Sequence, residues 1–188
     1  ATVKLPSAVL PTLHHRRLTS WLLLSAAVMT PCVRAEEPLF LQPPTDLIVL
    51  DRANASSQLE AFPLDFPDRR LPNPLPRGGA LKARLLDAAG EVEIAYSKIE
   101  RIVLFEERLL RAAQEHAAKK EFGAAYDYFA RLDRDYPAWP GFSTAFSSAL
   151  RAEALARFRG GEEDYALALL HSLFDREPKL PGLDRAVD

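Results

Sequence analysis

The stretch YPAWPGF at Tyr136–Phe142 returns as EPKLPGL at Glu177–Leu183, setting Pro137 on Pro178, Pro140 on Pro181 and Gly141 on Gly182 at a displacement of 41 residues. The same displacement carries Phe105 onto Phe146, Leu109 onto Leu150, Ala113 onto Ala154, Ala125 onto Ala166, Phe129 onto Leu170 and Leu132 onto Leu173. Matched apolar positions on both flanks of a matched turn mark an internal repeat of helical units, each burying its apolar side against the next. Within each copy the apolar residues recur at helical spacing, interrupted near Gly123, so one unit reads as two tightly joined helices. The shared phrase is punctuation. Proline stops the second helix, the next proline presets the backbone for the following first helix, and glycine relieves crowding at the turn.

Upstream of Phe105 the pattern is different. Prolines at 38, 43, 44, 63, 67, 72, 74 and 76 exclude helix over most of Glu36–Pro76 and leave room for short edge strands. DLIVLD at Asp46–Asp51, QLEAFPLDF at Gln58–Phe66 and ALKARLLD at Ala80–Asp87 read as strands. A turn at Asp87–Glu91 leads into EVEIAY, where Val92, Ile94 and Tyr96 share one face, which is a hairpin signal. KIERIVLF at Lys98–Phe105 fits either period and is divided at Leu104. The expectation is an α+β chain. A small Pro-rich antiparallel β module at 36–104, curled or a partial barrel, precedes an α-helical solenoid of antiparallel helix pairs at 105–188. The repeats fall at 105–142 and 146–183, with the start of a third after them. A β core of this size leans on its neighbour for stability.

Residues 1–35 read as a leader. His14–Arg17 supply a basic start, Trp21–Met29 an apolar run of roughly ten residues, and Val33-Arg34-Ala35 stand before two acids, which is the pattern of a secretory signal peptide. The run is about half of what spans a bilayer. A lipoprotein cysteine at Cys32 is disfavoured by Pro31, and a twin-arginine signal at Arg16-Arg17 lacks the following apolar pair. The leader carries Lys4, Arg16, Arg17 and Arg34 and no acid, so its removal leaves 20 basic against 26 acidic residues, a net charge of −6. That balance argues against nucleic acid or an anionic membrane surface as partner, leaving the membrane involved only through export or anchoring. The single cysteine departs with the leader, which suits a bacterial periplasm or cell envelope.

Chemistry-bearing motifs are sparse. His116 and His171 fall at different places in the repeat, without zinc-protease spacing or a cysteine ligand, and no metal or other cofactor is expected. Ser143, Ser147 and Ser148 read as helix-start residues rather than nucleophiles. Gly78-Gly79 and Gly160-Gly161 lack the lysine of a phosphate loop and read as a turn and a helix stop. Glu162–Asp164 suit a helix N-terminus. Tyr126, Tyr128, Phe129, Tyr136, Trp139, Phe142 and Phe146 form an aromatic group expected between the repeats. Arg108, Arg111, Glu115, Arg151 and Arg157 are the candidate partner-binding face, a mostly basic set suited to a carboxylate or an acidic segment.

EFGAAYDYFARLDRDYP at Glu121–Pro137 and EDYALALLHSLFDREP at Glu163–Pro178 resemble the second helix of a tetratricopeptide repeat, with Ala125 as the small packing residue and Phe129 as the large one. Such repeats recur about every 34 residues, so the longer period here departs from the pattern, as does the missing first-helix Trp and Leu-Gly signature. With DLIVLD and FPLDFPDRRLP in front, the region is similar to the N-terminal part of bacterial exported solute-binding proteins of the peptide ABC transporter type. The resemblance implies a non-catalytic, exported module whose partner is a protein, a peptide or a missing C-terminal domain of the same chain. A free-standing scaffold for envelope assembly is the alternative, and an enzyme with its active site beyond residue 188 a third.

Overall fold

In the computed structural model, residues 37–51 and 57–176 are described, all within the unit Glu36–Asp188. The expected leader, the expected start of a third repeat, and Pro178, Pro181 and Gly182 lie outside the described residues.

Five short strands come first: β1 (Asp46–Leu50), β2 (Gln58–Ala61), β3 (Ala80–Arg84), β4 (Glu91–Ala95) and β5 (Ile99–Val103). β1 is the centre of a three-stranded antiparallel sheet between β2 and β5, with Ile48 opposite Leu59 on one side and Ile102 on the other. β3 and β4 form the expected hairpin, pairing Leu81 with Ile94 and Ala83 with Val92. Leu81 and Ala83 point inward and Lys82 and Arg84 outward, the alternation of a half-buried sheet. β2 ends at Ala61, short of the expected Phe66, because Pro63 has no N–H to continue a ladder. The Ala61–Leu85 bridge, flanked by Phe62 N–H donating to Arg84 and Leu86 N–H to Glu60, ties the two sheets together. A 3-10 turn at Tyr96–Lys98 carries the chain from β4 into β5 without pairing them, so the described strands form a three-stranded and a two-stranded antiparallel sheet.

Leu104 divides the molecule where the sequence does. It closes a core built on Ile48, Ala61, Leu64, Leu81, Ala83, Ile94, Ile99 and Ile102, while Phe105 opens a second core with Leu109, Ala113, Ala125, Phe129, Leu132 and Phe142. Trp139 packs against both.

Four helices follow: α1 (Phe105–Ala118), α2 (Phe122–Asp135), α3 (Phe142–Arg159) and α4 (Glu163–Arg176). Moved by 41 residues, the bounds of α2 become those of α4 and the end of α1 becomes the end of α3. α3 starts one turn earlier than α1, whose first residue follows directly on a strand. α1 packs on α2 and α3 on α4, and α3 also touches both members of the first pair.

The two inter-helix turns are the same device. Glu121 N–H donates to His116 and Lys120 N–H to Ala117 after α1; Glu162 N–H donates to Arg157 and Gly161 N–H to Phe158 after α3. Both are Schellman closures, whose penultimate residue adopts left-handed backbone. Gly161 has φ 81 there, and Lys120 has φ 64. The expected break at Gly123 is therefore corrected: Gly123 lies within the first turn of α2, and the reversal is made by Lys120. A side chain in left-handed backbone costs roughly 1–2 kcal/mol.

Lys120→Gly is accordingly expected to stabilise the fold by up to about 1 kcal/mol, read as a rise in the midpoint of chemical denaturation. Gly141→Ala should move the midpoint the other way, because Gly141 has φ 81, a left-handed conformation in which a side chain is strained.

Candidate functional site

Two polar clusters and one apolar face stand out from the cores. The first cluster joins the β module to the helices. Asp46, at the start of β1, and Glu106, in the first turn of α1, are fully buried, and the guanidinium of Arg69 lies between them. Arg69 donates through Nη2 and Nη1 to Asp46 at 2.7 and 2.8 Å, through Nε and Nη2 to Glu106 at 2.8 Å each, and through Nη1 to the Leu64 carbonyl at 2.9 Å. Asp46 also accepts the backbone N–H of Phe105 at 2.9 Å and of Leu64 at 2.8 Å. A strand carboxylate thus satisfies an orphan N–H in the first turn of α1, which has no side-chain cap of its own. Arg69 reaches this position from a turn in which Asp68 and Arg69 both have positive φ, 52 and 55. Burial pulls its pKa down, but the hydrogen bonds to Glu106 and Asp46 outweigh that and hold it above the ordinary arginine range.

The second cluster joins the helical pairs. Glu153 of α3 is buried, accepting the Tyr126 hydroxyl of α2 at 2.6 Å and Arg157 Nη2 at 3.0 Å. Arg157 also pairs with Glu162 at 3.1 Å and lies 4.9 Å from the centroid of the Tyr165 ring. Burial first, and the bond to Glu153 second, push the Tyr126 phenol well above its ordinary value. Tyr136 is raised as well, by burial and then by the charge of Glu106.

The candidate partner face does not assemble as expected. Arg111, Glu115 and Arg151 are exposed, but Arg108 is half-buried and donates to the Thr45 carbonyl and hydroxyl at 3.0 and 3.1 Å, and Arg157 is held by Glu153 and Glu162. Both arginines have found acceptors inside the molecule. The three members on α1 and the two on α3 also occupy different repeat positions, since Arg151 and Arg157 correspond to Leu110 and His116. His116 itself pairs with Glu121 at 2.6 Å and stacks on Tyr128, centroids 5.3 Å apart.

Other readings are refined similarly. Gly141 is the N-cap of α3, so Ser143, Ser147 and Ser148 lie inside the helix rather than capping it. Glu163 and Asp164 do open α4, and Gly160-Gly161 do stop α3. The aromatic group is packed between the helical pairs, with Tyr128, Phe129 and Phe142 buried and Tyr126, Tyr136, Trp139 and Phe146 against them.

The apolar face belongs to the second helical pair. In the first pair, Tyr126 and Phe129 meet the Phe146 ring edge-on at 5.9 and 5.1 Å, and Phe142 lies 6.3 Å from Phe129. The corresponding α4 residues are Leu167, which is exposed, and Leu170, which is half-buried. Phe174 continues that stripe one turn on and is exposed, and on α3 Leu155 and Phe158 are exposed, Phe158 to 60%. By the displacement of 41 residues, Leu155 and Phe158 correspond to Gln114 and Ala117, on the stripe of α1 that holds Leu110, the residue beside Gly141 at the start of α3. On this side of the second pair Leu167 takes the place of Tyr126, which meets α3 in the first pair, whereas Gln114 and Asp133, the counterparts of Leu155 and Phe174, are themselves exposed. This side is also more apolar than its counterpart. Large exposed apolar groups clustered by helical spacing are the mark of a surface that packs.

Among the described residues, no group of three or more His, Cys, Asp or Glu side chains is arranged to hold a metal ion, and no helix is long and apolar enough to cross a membrane. No protein-family model matches the chain, and neither characterised proteins nor solved structures yield a match.

Sequence reasoning missed both polar clusters. Arg69 stands in a Pro-rich segment with nothing to mark it, and Asp46 reads as a strand edge. Glu153 did leave a trace, since it replaces Ala112 of the first copy within an otherwise apolar row.

Asp46→Ala is expected to cost about 3–5 kcal/mol, the range for leaving a buried ionic partner uncompensated. Lys82→Ala, which breaks an exposed pair with Glu93 at 3.7 Å, should cost less than about 1 kcal/mol; equal losses in denaturant unfolding would mean that the buried cluster is energetically ordinary.

For Tyr126 and Tyr136 the folded pKa is raised, so their contribution is fully present below the unfolded value of 10.0 and is lost as pH rises beyond it. Stability should fall above that pH, and Tyr126→Phe should flatten the alkaline limb measured by chemical denaturation across pH.

Proposed function

We propose that the chain is a non-catalytic interaction module exported to the bacterial periplasm or cell envelope, the N-terminal part of an extracellular solute-binding protein of a peptide transport system. The observation that carries this reading is the apolar side of the second helical pair, with Leu155, Phe158, Leu167 and Phe174 exposed, Leu167 at the position where Tyr126 of the first pair meets α3. A surface of that kind serves to hold another folded element. The tetratricopeptide-like solenoid belongs to the same proposal, supported by the matched helix bounds and matched Schellman turns. The leader pattern and the cysteine-free, acidic mature chain support the address.

The test is to read the source gene past the codon for Asp188 and to locate the mature product by fractionation. The expected outcome is a frame that runs through further helical pairs into a large two-lobed α/β region, in a protein released with the periplasm. A stop shortly after Asp188 overturns the solute-binding reading in favour of a free-standing envelope scaffold, and retention in the cytoplasm overturns the address.

A further inference from the structure

The β module ends in a strand whose outer edge meets no other strand among the described residues. β3 has neighbours on both sides: β4 on one and, through Phe62 N–H donating to Arg84 and Leu86 N–H to Glu60, the end of β2 on the other. β4 has β3 alone. Tyr96 N–H donates to the Gly79 carbonyl, in the register that pairs Leu81 with Ile94 and Ala83 with Val92. Antiparallel pairs alternate between bonded and non-bonded, so Glu91, Glu93 and Ala95 turn their backbone N–H and C=O groups away from β3. Among the described residues, none exchanges a backbone hydrogen bond with them there.

The side chains along this edge alternate. Val92 and Ile94 face the core of the module, and Glu91 and Glu93 are exposed. Their partners across β3 hold these acids loosely: Lys82 lies 3.7 Å from Glu93 with both side chains exposed, and Arg84, opposite Glu91, lies instead over the Phe62 ring at 4.4 Å from its centroid. The edge has neither the proline, the lysine nor the bulge that commonly blocks strand addition. Its two glutamates discriminate among partners instead. A second copy of β4 laid antiparallel about Val92 or Glu93 sets glutamate against glutamate, which is destabilising. A strand that alternates basic with apolar residues sets opposite charges together and continues the apolar face.

We infer that the outer edge of β4 binds an extended segment of a protein partner as an added strand, one in which basic residues alternate with apolar ones as Lys82 and Arg84 alternate with Leu81 and Ala83 in β3. Main-chain hydrogen bonds to Glu93 and Ala95 hold the segment, and Glu91 and Glu93 select its charge. The site uses no residue of the second helical pair and goes beyond the role given under Proposed function.

The experiment titrates the full chain into two fluorescently labelled, acetylated and amidated peptides, one alternating valine with lysine and the other valine with glutamate, and reads anisotropy. The lysine peptide is expected to bind at least about ten-fold tighter. Ala95→Pro isolates the main chain: Ala95 has φ −59, close to the angle proline fixes, and its N–H points outward, so the change removes one edge donor and leaves the hairpin intact. It should weaken the lysine peptide about five-fold at an unchanged denaturation midpoint. Glu91→Lys with Glu93→Lys should reverse the preference to the glutamate peptide, whereas the same exchange at exposed Glu115 and Asp127 leaves it in place; this comparison decides the matter if Ala95→Pro fails to fold. Absence of binding, equal affinity for the two peptides, or undiminished binding by folded Ala95→Pro overturns the proposal, as does a preference that follows net charge wherever the lysines are placed. Each of these failures leaves the transport reading standing, because that reading is decided by the gene and the fractionation.

Discussion

The contact on which the rest of the structure depends is the pairing of Asp46 and Glu106 across Arg69. Asp46 belongs to the central strand, Glu106 to the first helix, and Arg69 to the irregular segment between the sheets. One guanidinium with its donors in a fixed fork makes two hydrogen bonds to each of two carboxylates at once, which a lysine with three donors cannot. Three segments that would otherwise meet only through apolar packing are held at a defined angle and register. The cost is visible in the backbone, where Asp68 and Arg69 both occupy left-handed conformations that side chains disfavour. A buried ionic cluster adds little net stability over a hydrophobic one of equal volume. Its contribution here is to specify how α1 leaves β5.

Downstream of that junction, order propagates by repetition. α3 packs on the first pair through Phe142 and Phe146, and Tyr126, Glu153 and Arg157 add a polar contact between the pairs. Arg176 of α4 reaches back to Asp133 of α2 at 3.3 Å and lies 4.4 Å from the centroid of the Phe146 ring. The second pair is thus fixed on the first by apolar, ionic and cation–π contacts.

The helical half was legible because its information is periodic. Matching Phe105 to Phe146 and Pro137 to Pro178 needs only the sequence, and the strand-to-helix change at Leu104 shows in the change of period. The β module was legible strand by strand, yet its arrangement was not, because pairing is decided by contacts such as Ala61 with Leu85 that leave no local mark. Lys120 escaped notice for a different reason: glycine is the ordinary signal for left-handed backbone, and here the turn is imposed by the two helices on a lysine. The candidate face was only partly legible. The tie of Arg108 to Thr45 depends on a neighbour distant in sequence, whereas the pairing of Arg157 with Glu153 is local, four residues apart on one helix.

Trp139, in the turn between α2 and α3, is packed against both the β core and the helical core. The chain's only other tryptophan is Trp21. In protein lacking residues 1–35, intrinsic tryptophan emission therefore comes from a single indole lodged in the seam. Its wavelength reports wetting of that seam and is blind to fraying at α4, so a spectroscopist can watch the two cores part without attaching a label.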